Sequence, residues 1–288
     1  MLMVAGTVPQ AVFPLVEGEV VADGAGIVVD GHHLEAKRGT PALLAAALAT
    51  DQAIGRVGVR AFLVGDVGLG DGSRRLYRHL TEALPRRSCA VLAFHYLQPD
   101  VDWHNRVLFA VEEMPARPLL VADAGFMYAA KMSGQAGSYD LFTPDAGELA
   151  FLADERAPHP FYTRGFILQD EDGVADLIAR AYRHDNAARN LVVKGRVDHL
   201  ADRDGVWARV AEPSHASMEA IGGTGDTLTG IVSALLAAGL DMRQACLLAS
   251  KANRLAGDLA QPTPATQVAE IISHIPRALS MLGLTLMP

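Results

Sequence analysis

The sequence predicts an α/β protein with a mostly parallel sheet covered by helices on both faces. Three observations predict it. Short apolar runs alternate with helical segments along most of the 288 residues, the mark of repeated strand–helix–strand units. Half of the residues are hydrophobic but only 6% are aromatic, which suits an interior of many small helix–sheet contacts. A glycine-rich turn at 222–225 opens directly into an apolar helix, which presents unpaired backbone amides to a ligand.

The elements follow in order. Residues 1–25 carry the weakest pattern and are expected to form an N-terminal arm or hairpin extension. EGEVVADGAGIVVDG alternates about Asp23-Gly24, a hairpin signal, and 26–30 reads as the first core strand. Thr40 as N-cap and Pro41 at the first helical position open a helix. Residues 60–64 form a strand running into the glycine-rich turn GDVGLGDGSR, and the helix RRLYRHLTEAL follows. Residues 89–94 are a strand, 104–113 a helix stopped by Pro115, and PLLVAD a strand ending in an acid. DLFT leads through Pro144 into the helix GELAFLA. ADERAPHPFYTRGFILQDEDG is proline-rich and irregular, a surface excursion. A helix at 172–183 precedes the buried strand NLVVK, and 197–201 with 206–210 flank the hairpin signal Asp204-Gly205. Two helices at 242–260 and 266–282, separated by QPTP, close the chain. No repeat and no linker divides it, so 1–288 is expected to be one domain.

Bulk properties remove several classes of partner. The formal charge is −8 and no basic run occurs, so nucleic acid is not expected. No apolar run is long enough to span a bilayer, and the N-terminus lacks the basic start of a signal peptide. Only Cys89 and Cys246 are present, both in apolar surroundings; two free thiols fit a reducing cytoplasm. The ten histidines match no zinc spacing and read as surface or core residues.

The chemistry concentrates in AIGGTGDTLTGIVSALLAAGL, residues 220–240. Leu228, Ile231, Val232, Leu235 and Leu236 recur at helical spacing. The helix start offers free amides and a partial positive charge, a seat for phosphate. Asp226 falls in the first turn. On the residues alone, a plain loop with Asp226 as N-cap is the preferred reading.

The wider string resembles the GTGD anion-hole motif of ribokinase-like enzymes, and most of all the branch that repairs hydrated NAD(P)H. Further pieces carry the same resemblance in the expected order. GDVGLG resembles the family's GPGLG substrate loop, PLLVADAG its PLVLDADA strand end, LFTPDAGELAFL its TPHPGE segment, and NLVVKG its VLKG strand. The tail NRLAGDLAQPTPATQVAEIISHIPRAL is similar to its AGDLAA…ALPRAL ending. The resemblance runs from about Arg60 to the C-terminus.

It implies a ribokinase-like three-layer sandwich and an ADP- or ATP-dependent NAD(P)H-hydrate dehydratase using Mg²⁺. The hydroxyl of the hydrated nicotinamide is phosphorylated and phosphate then leaves. Asp226 would be the base, with Gly223, Thr224 and Gly225 supplying the anion hole. Lys194, Gly195, Arg196, Val197, Asp198 and Gly225 would hold the adenine nucleotide. Ala42, Gly68, Gly70, Asp123, Asp145 and Asp226 would meet the acceptor, and Glu148 would position Mg²⁺ through water. Each has a plainer reading: Lys194 a solvated strand-end lysine, Asp123 a helix N-cap, Glu148 part of a capping box.

Three departures stand out. Asp145 replaces the family's histidine, Asp66-Val67 replaces a proline, and the stretch between the Thr40 helix and Arg60 is short, as if a strand–helix unit were absent. Two alternatives therefore stay open: a kinase for a small alcohol such as hydroxyethylthiazole or a sugar, and a nucleotide-binding relative without turnover. A cytoplasmic homo-oligomer is expected in each case.

Overall fold

A computed structural model describes residues 1–55, 58–157 and 171–284. Its centre is the first strand, β1 (Leu2–Val8), a continuous apolar run with every residue buried. Such a run, without alternation, suits a strand covered on both faces. It lies between β5 (Val59–Gly65) and β6 (Val91–His95), parallel to both. Residues 1–25 are therefore not an arm. They open with an interior strand of the parallel core, and the expected first core strand at 26–30 is instead part of an antiparallel ribbon.

That ribbon comprises β2 (Val16–Asp23), β3 (Gly26–Val29) and β4 (His32–Glu35), joined through the predicted turn at Asp23-Gly24. It extends the sheet from β5, against which β2 runs antiparallel. On the other side of β6 lie β7 (Leu119–Ala122), β8 (Leu141–Phe142) and β9 (Asn190–Val193), all parallel. The hairpin β10 (Asp198–Asp202) and β11 (Gly205–Val210) closes that edge antiparallel. The full order is β11-β10-β9-β8-β7-β6-β1-β5-β2-β3-β4. The parallel core has no gap where a missing strand–helix unit was expected, because β5 follows the first helix directly and pairs with β1.

Two apolar layers sandwich this sheet, and alternate residues of β1 serve each: Leu2, Val4 and Val8 face one, Met3 and Ala5 the other. The first layer holds α1 (Thr40–Ile54), α7 (Thr224–Ala237), α8 (Met242–Leu259), α9 (Val268–Ser273) and α10 (Ile275–Met281). The second holds α2 (Asp71–Ala83), α3 (Val101–Glu112), α4 (Gly125–Met132), α5 (Ala146–Ala153) and α6 (Glu171–Arg183). Most residues of α1 and α7 are buried, and their buried polar side chains, Asp226 and Thr229 among them, are hydrogen-bonded inside. The helix expected over 266–282 breaks at His274, just before Pro276, whose missing N–H suits a helix start and not a helix interior. Most of the proline-rich excursion predicted around 153–173 lies outside the described residues. Cys89 and Cys246 are free, the first half-buried and the second buried. Among the described residues no helix is long and apolar enough to cross a membrane.

β1 is also where the strand order reverses: the chain goes from β1 to β5 on one side, then to β6 on the other. In open parallel sheets, ligands bind beyond the carboxyl ends of the strands at such a switch point.

Candidate active site

Five strand ends and two helix starts meet there. β1 brings Thr7, β6 ends in His95, and Asp123, Thr143 and Lys194 follow β7, β8 and β9. α1 contributes Gly39 and Thr40, and α7 contributes residues 223–226. Of these, Asp123, Lys194 and residues 223–226 line a cavity of about 810 Å³, within the roughly 300–1,000 Å³ range of small-molecule sites.

Asp226 is buried at the third position of α7, so it is not the N-cap; Gly223 is. Each of its oxygens has a donor. Gly39 N donates to Oδ2 at 2.6 Å, and His95 Nε2 lies 3.1 Å from Oδ1. Burial alone would raise this carboxyl, but the bond to His95, the charges of His95 and Lys194, and the Gly39 amide hold it below the usual range. It stands ionised and ready to accept a proton. Gly39, not Thr40, caps α1, at φ 68° and ψ −153°, a backbone region essentially reserved for glycine. That turn aims its amide at Asp226 and frees the Thr40 hydroxyl for His95 Nδ1, 3.0 Å away.

Asp123 is not a helix N-cap; Ala124 holds that place before α4. Its carboxylate takes Lys194 Nζ on both oxygens at 2.8 and 2.9 Å, the Thr229 hydroxyl at 2.6 Å and the Ala124 amide at 2.8 Å. Lys194 is thus no solvated lysine. Burial works against its charge, but Asp123, Glu148 and Asp226 outweigh burial and hold its pKa above the usual lysine range. Gly225 packs against the lysine stem: a Cβ there would stand 3.4 Å from Lys194 Cδ. The cation expected for phosphate is already committed to a carboxylate.

Asp145 caps α5, accepting from Glu148 N at 2.8 Å, while Glu148 accepts from Asp145 N at 2.8 Å. Both halves of the capping box are made. Glu148 also accepts from the Tyr128 hydroxyl at 3.2 Å. Burial first, then Asp123 and Asp145, push its carboxyl up to about 8. Asp145 therefore acts on the site through Glu148 as well as through its own charge.

The nucleotide-side expectations divide. Gly195 and Arg196 line the cavity, and so does Asp198. Asp198, however, is buried in an ion pair with Arg254, Nε to Oδ2 at 3.0 Å, and takes the Gly195 amide at 3.2 Å. Arg254 also donates to the Gly195 carbonyl at 2.8 Å. Asp198 thus shapes the loop through both of its oxygens. Val197 is not on the cavity wall.

Three acceptor expectations fall away. Ala42 is fully buried inside α1. Gly68 and Gly70 do not line the cavity either. Their amides, with those of Leu69 and Ser73, converge on the Asp66 carboxylate at 2.8–3.1 Å. This is a loop folded about its own acid.

His95 was missed altogether. It is fully buried between Asp226, Thr40 and, at 3.8 Å, Asp123. A histidine closing a buried strand was the available signal, but it belongs to no local motif. His95, Asp123 and Asp226 bring three potential ligand atoms within 4.8 Å of one another; Lys194 already supplies the positive charge beside Asp123.

A parallel-sheet rim and a glycine-rich helix start holding an ionised aspartate sit on a ribokinase-like fold. A family model described as NAD(P)H-hydrate dehydratase matches residues 98–277. The chain belongs to that family. The match begins beyond GDVGLG. An uncharacterized protein of Methanocaldococcus jannaschii is 40% identical over 238 residues, 82% of this chain and 98% of that protein. The ADP-dependent (S)-NAD(P)H-hydrate dehydratase of Cenarchaeum symbiosum is 28% identical over 155 residues, 54% of this chain; the match spans about half that protein's length, 48%. Among solved structures, the ADP/ATP-dependent NAD(P)H-hydrate dehydratase of Bacillus subtilis, co-crystallised with ATP and Mg²⁺, aligns with a TM-score of 0.58. It shares 15% identity, covering 97% of this chain and 89% of that one.

Proposed function

We propose that this protein is an ADP- or ATP-dependent NAD(P)H-hydrate dehydratase. The observation that carries the reading is Asp226: an ionised carboxylate in the first turn of α7, inside the segment that matches the family. The hydroxyl of the hydrated nicotinamide ring gives its proton to Asp226 as its oxygen attacks the terminal phosphoryl group of the nucleotide. The shortened nucleotide leaves. The first amides of α7 lack partners within the helix and lie where negative charge grows during transfer. The C–O bond of the phosphorylated ring then breaks, phosphate departs, and a ring proton is lost, restoring the dihydronicotinamide.

The donor set near Glu148 and Asp145 is all oxygen, as Mg²⁺ requires. A carboxyl raised to about 8 beside other acids is one that gains by a neighbouring cation, so these residues fit the ion. Bound there, Mg²⁺ would neutralise phosphate oxygens. Arg196, exposed on the cavity wall, is the side chain that the nucleotide phosphates or base would meet on the β9–β10 side.

One experiment tests the reading. Hydrated NADH with ATP or ADP should yield NADH absorbance and phosphate in equal amounts. Asp226→Asn should lower that rate by roughly 100-fold or more, the scale of a lost general base, and leave nucleotide binding intact by calorimetry. Activity within a few-fold of the parent would remove Asp226 from the role. Phosphorylation of a small alcohol without any NADH formation would replace the dehydratase reading by the kinase one.

A further inference from the structure

Tyr96 follows His95 at the end of β6 and stands at φ 54°. A bulky residue rarely takes this left-handed backbone, and surroundings must hold it there; such outliers gather at ligand clamps and active sites. Its carbonyl accepts from the Thr7 hydroxyl at 2.8 Å. Its ring packs edge-on to His95, centroids 4.5 Å apart at 84°. A Cβ built on Gly39 would lie 4.0 Å from Tyr96 Cε2, so the ring sits beside the turn that holds Asp226. The ring lines the cavity, yet 47% of the residue is exposed. Burial raises its hydroxyl above the ordinary tyrosine range, and of the neighbouring charges Asp226 contributes most.

The loops beside it are apolar. Val12, Val67 and Leu69 are 94%, 54% and 74% exposed. They lie on the loops after β1 and β5, tied together by Asp66 N to Val8 O and Gly65 N to Phe13 O, at 3.0 and 3.1 Å. The second loop is tied to the Tyr96 segment by Gln98 N to Ser73 Oγ at 3.0 Å. Four of the nine exposed large apolar residues among those described therefore border this one end of the sheet. The phosphate end of the cavity, by contrast, is rich in charge.

We propose that Tyr96 is the acceptor-selecting residue. Its ring is a platform for the uncharged, planar part of a ring-bearing acceptor, whose hydroxyl then reaches Asp226. The proposal rests on the function above for the acceptor's identity and adds the recognition element. Aromatic rings gain most from contact with flat apolar faces, so the platform selects a ring-bearing acceptor.

Calorimetric titration of the parent, Tyr96→Phe, Tyr96→Gly and Tyr96→Asn tests it, with hydrated NADH as titrant in the presence of a non-transferable ATP analogue. Phe keeps the ring; Gly and Asn lose it while accepting the left-handed backbone. The expected result is about tenfold weaker hydrate binding for Gly and Asn and a change within about threefold for Phe. The ATP analogue should bind all four proteins alike, and thermal midpoints should not fall in the Gly variant. Equal hydrate affinity in all four, or no hydrate binding by the parent, overturns the proposal. If the parent binds the hydrate but never converts it with ATP or ADP, the dehydratase reading fails and the role of Tyr96 stands. If conversion proceeds and Tyr96→Gly binds the hydrate as the parent does, the role of Tyr96 alone fails.

Discussion

The acceptor end of the site turns on single residues that differ from the family pattern, and Asp145 is the first of them. A carboxylate in place of histidine brings negative charge toward a dinucleotide. The structure adds that Asp145 is engaged: it caps α5 and raises Glu148. Asp145→His should therefore do two things. Losing the cap should cost about 1 kcal/mol, read as a lower denaturation midpoint. Losing the charge should raise hydrate-dehydratase activity while leaving the KM for adenine nucleotide unchanged. A changed nucleotide KM with unaltered acceptor preference would show that Asp145 serves the other side of the cavity. Asp226, Asp123, Lys194 and Glu148 were legible because each stands at a predicted strand end or helix start. His95 and Gly39 were not, because their bonds to Asp226 span 131 and 187 residues of chain, and no local pattern records such pairings.

At the scale of elements, α3 and α4 are joined by a buried histidine with no part in the site. His104 is fully buried. Its Nε2 lies 2.9 Å from the Tyr139 hydroxyl and its Nδ1 3.1 Å from Ser133 Oγ. Burial pushes its pKa down to about 4, from an ordinary value of 6.5. The folded state thus prefers neutral His104, and the unfolded chain binds the proton more readily. The resulting stability is fully present above about pH 6.5 and is lost as the pH falls toward 4. The whole effect amounts to up to about 3 kcal/mol. Chemical denaturation at pH 7 and pH 4.5 should show this loss, and His104→Gln should lose less over the same interval. An identical pH dependence in the two proteins would dismiss the assignment. Most elements were legible from periodicity and turn residues. The errors came from an element without contrast: an apolar run such as MLMVAGTV reads as strand, helix or arm until its neighbours are known.

For the whole molecule, that run is an interior strand of the parallel core. With every residue of β1 buried between β5 and β6, removal of residues 1–8 would divide the parallel core and expose two strand edges. The truncated chain should show no cooperative thermal transition and should aggregate on expression. A soluble truncated protein with a sharp transition would mean that the sheet closes without β1. An N-terminal arm would have tolerated the same deletion.

The sequence by itself determined the α/β class, the alternation of strands and helices, the glycine-rich helix start and the family. These are local properties, written in periodicity, turn chemistry and contiguous motifs. Only the tertiary structure decided which strands lie inside the parallel core, that GDVGLG folds around Asp66, and that Lys194 is held by Asp123. It alone placed His95, Gly39 and Tyr96 around the base. Those facts depend on strand order and on contacts between distant segments. Parallel strands that need not be sequential neighbours bring their carboxyl ends together only when the whole sheet is assembled.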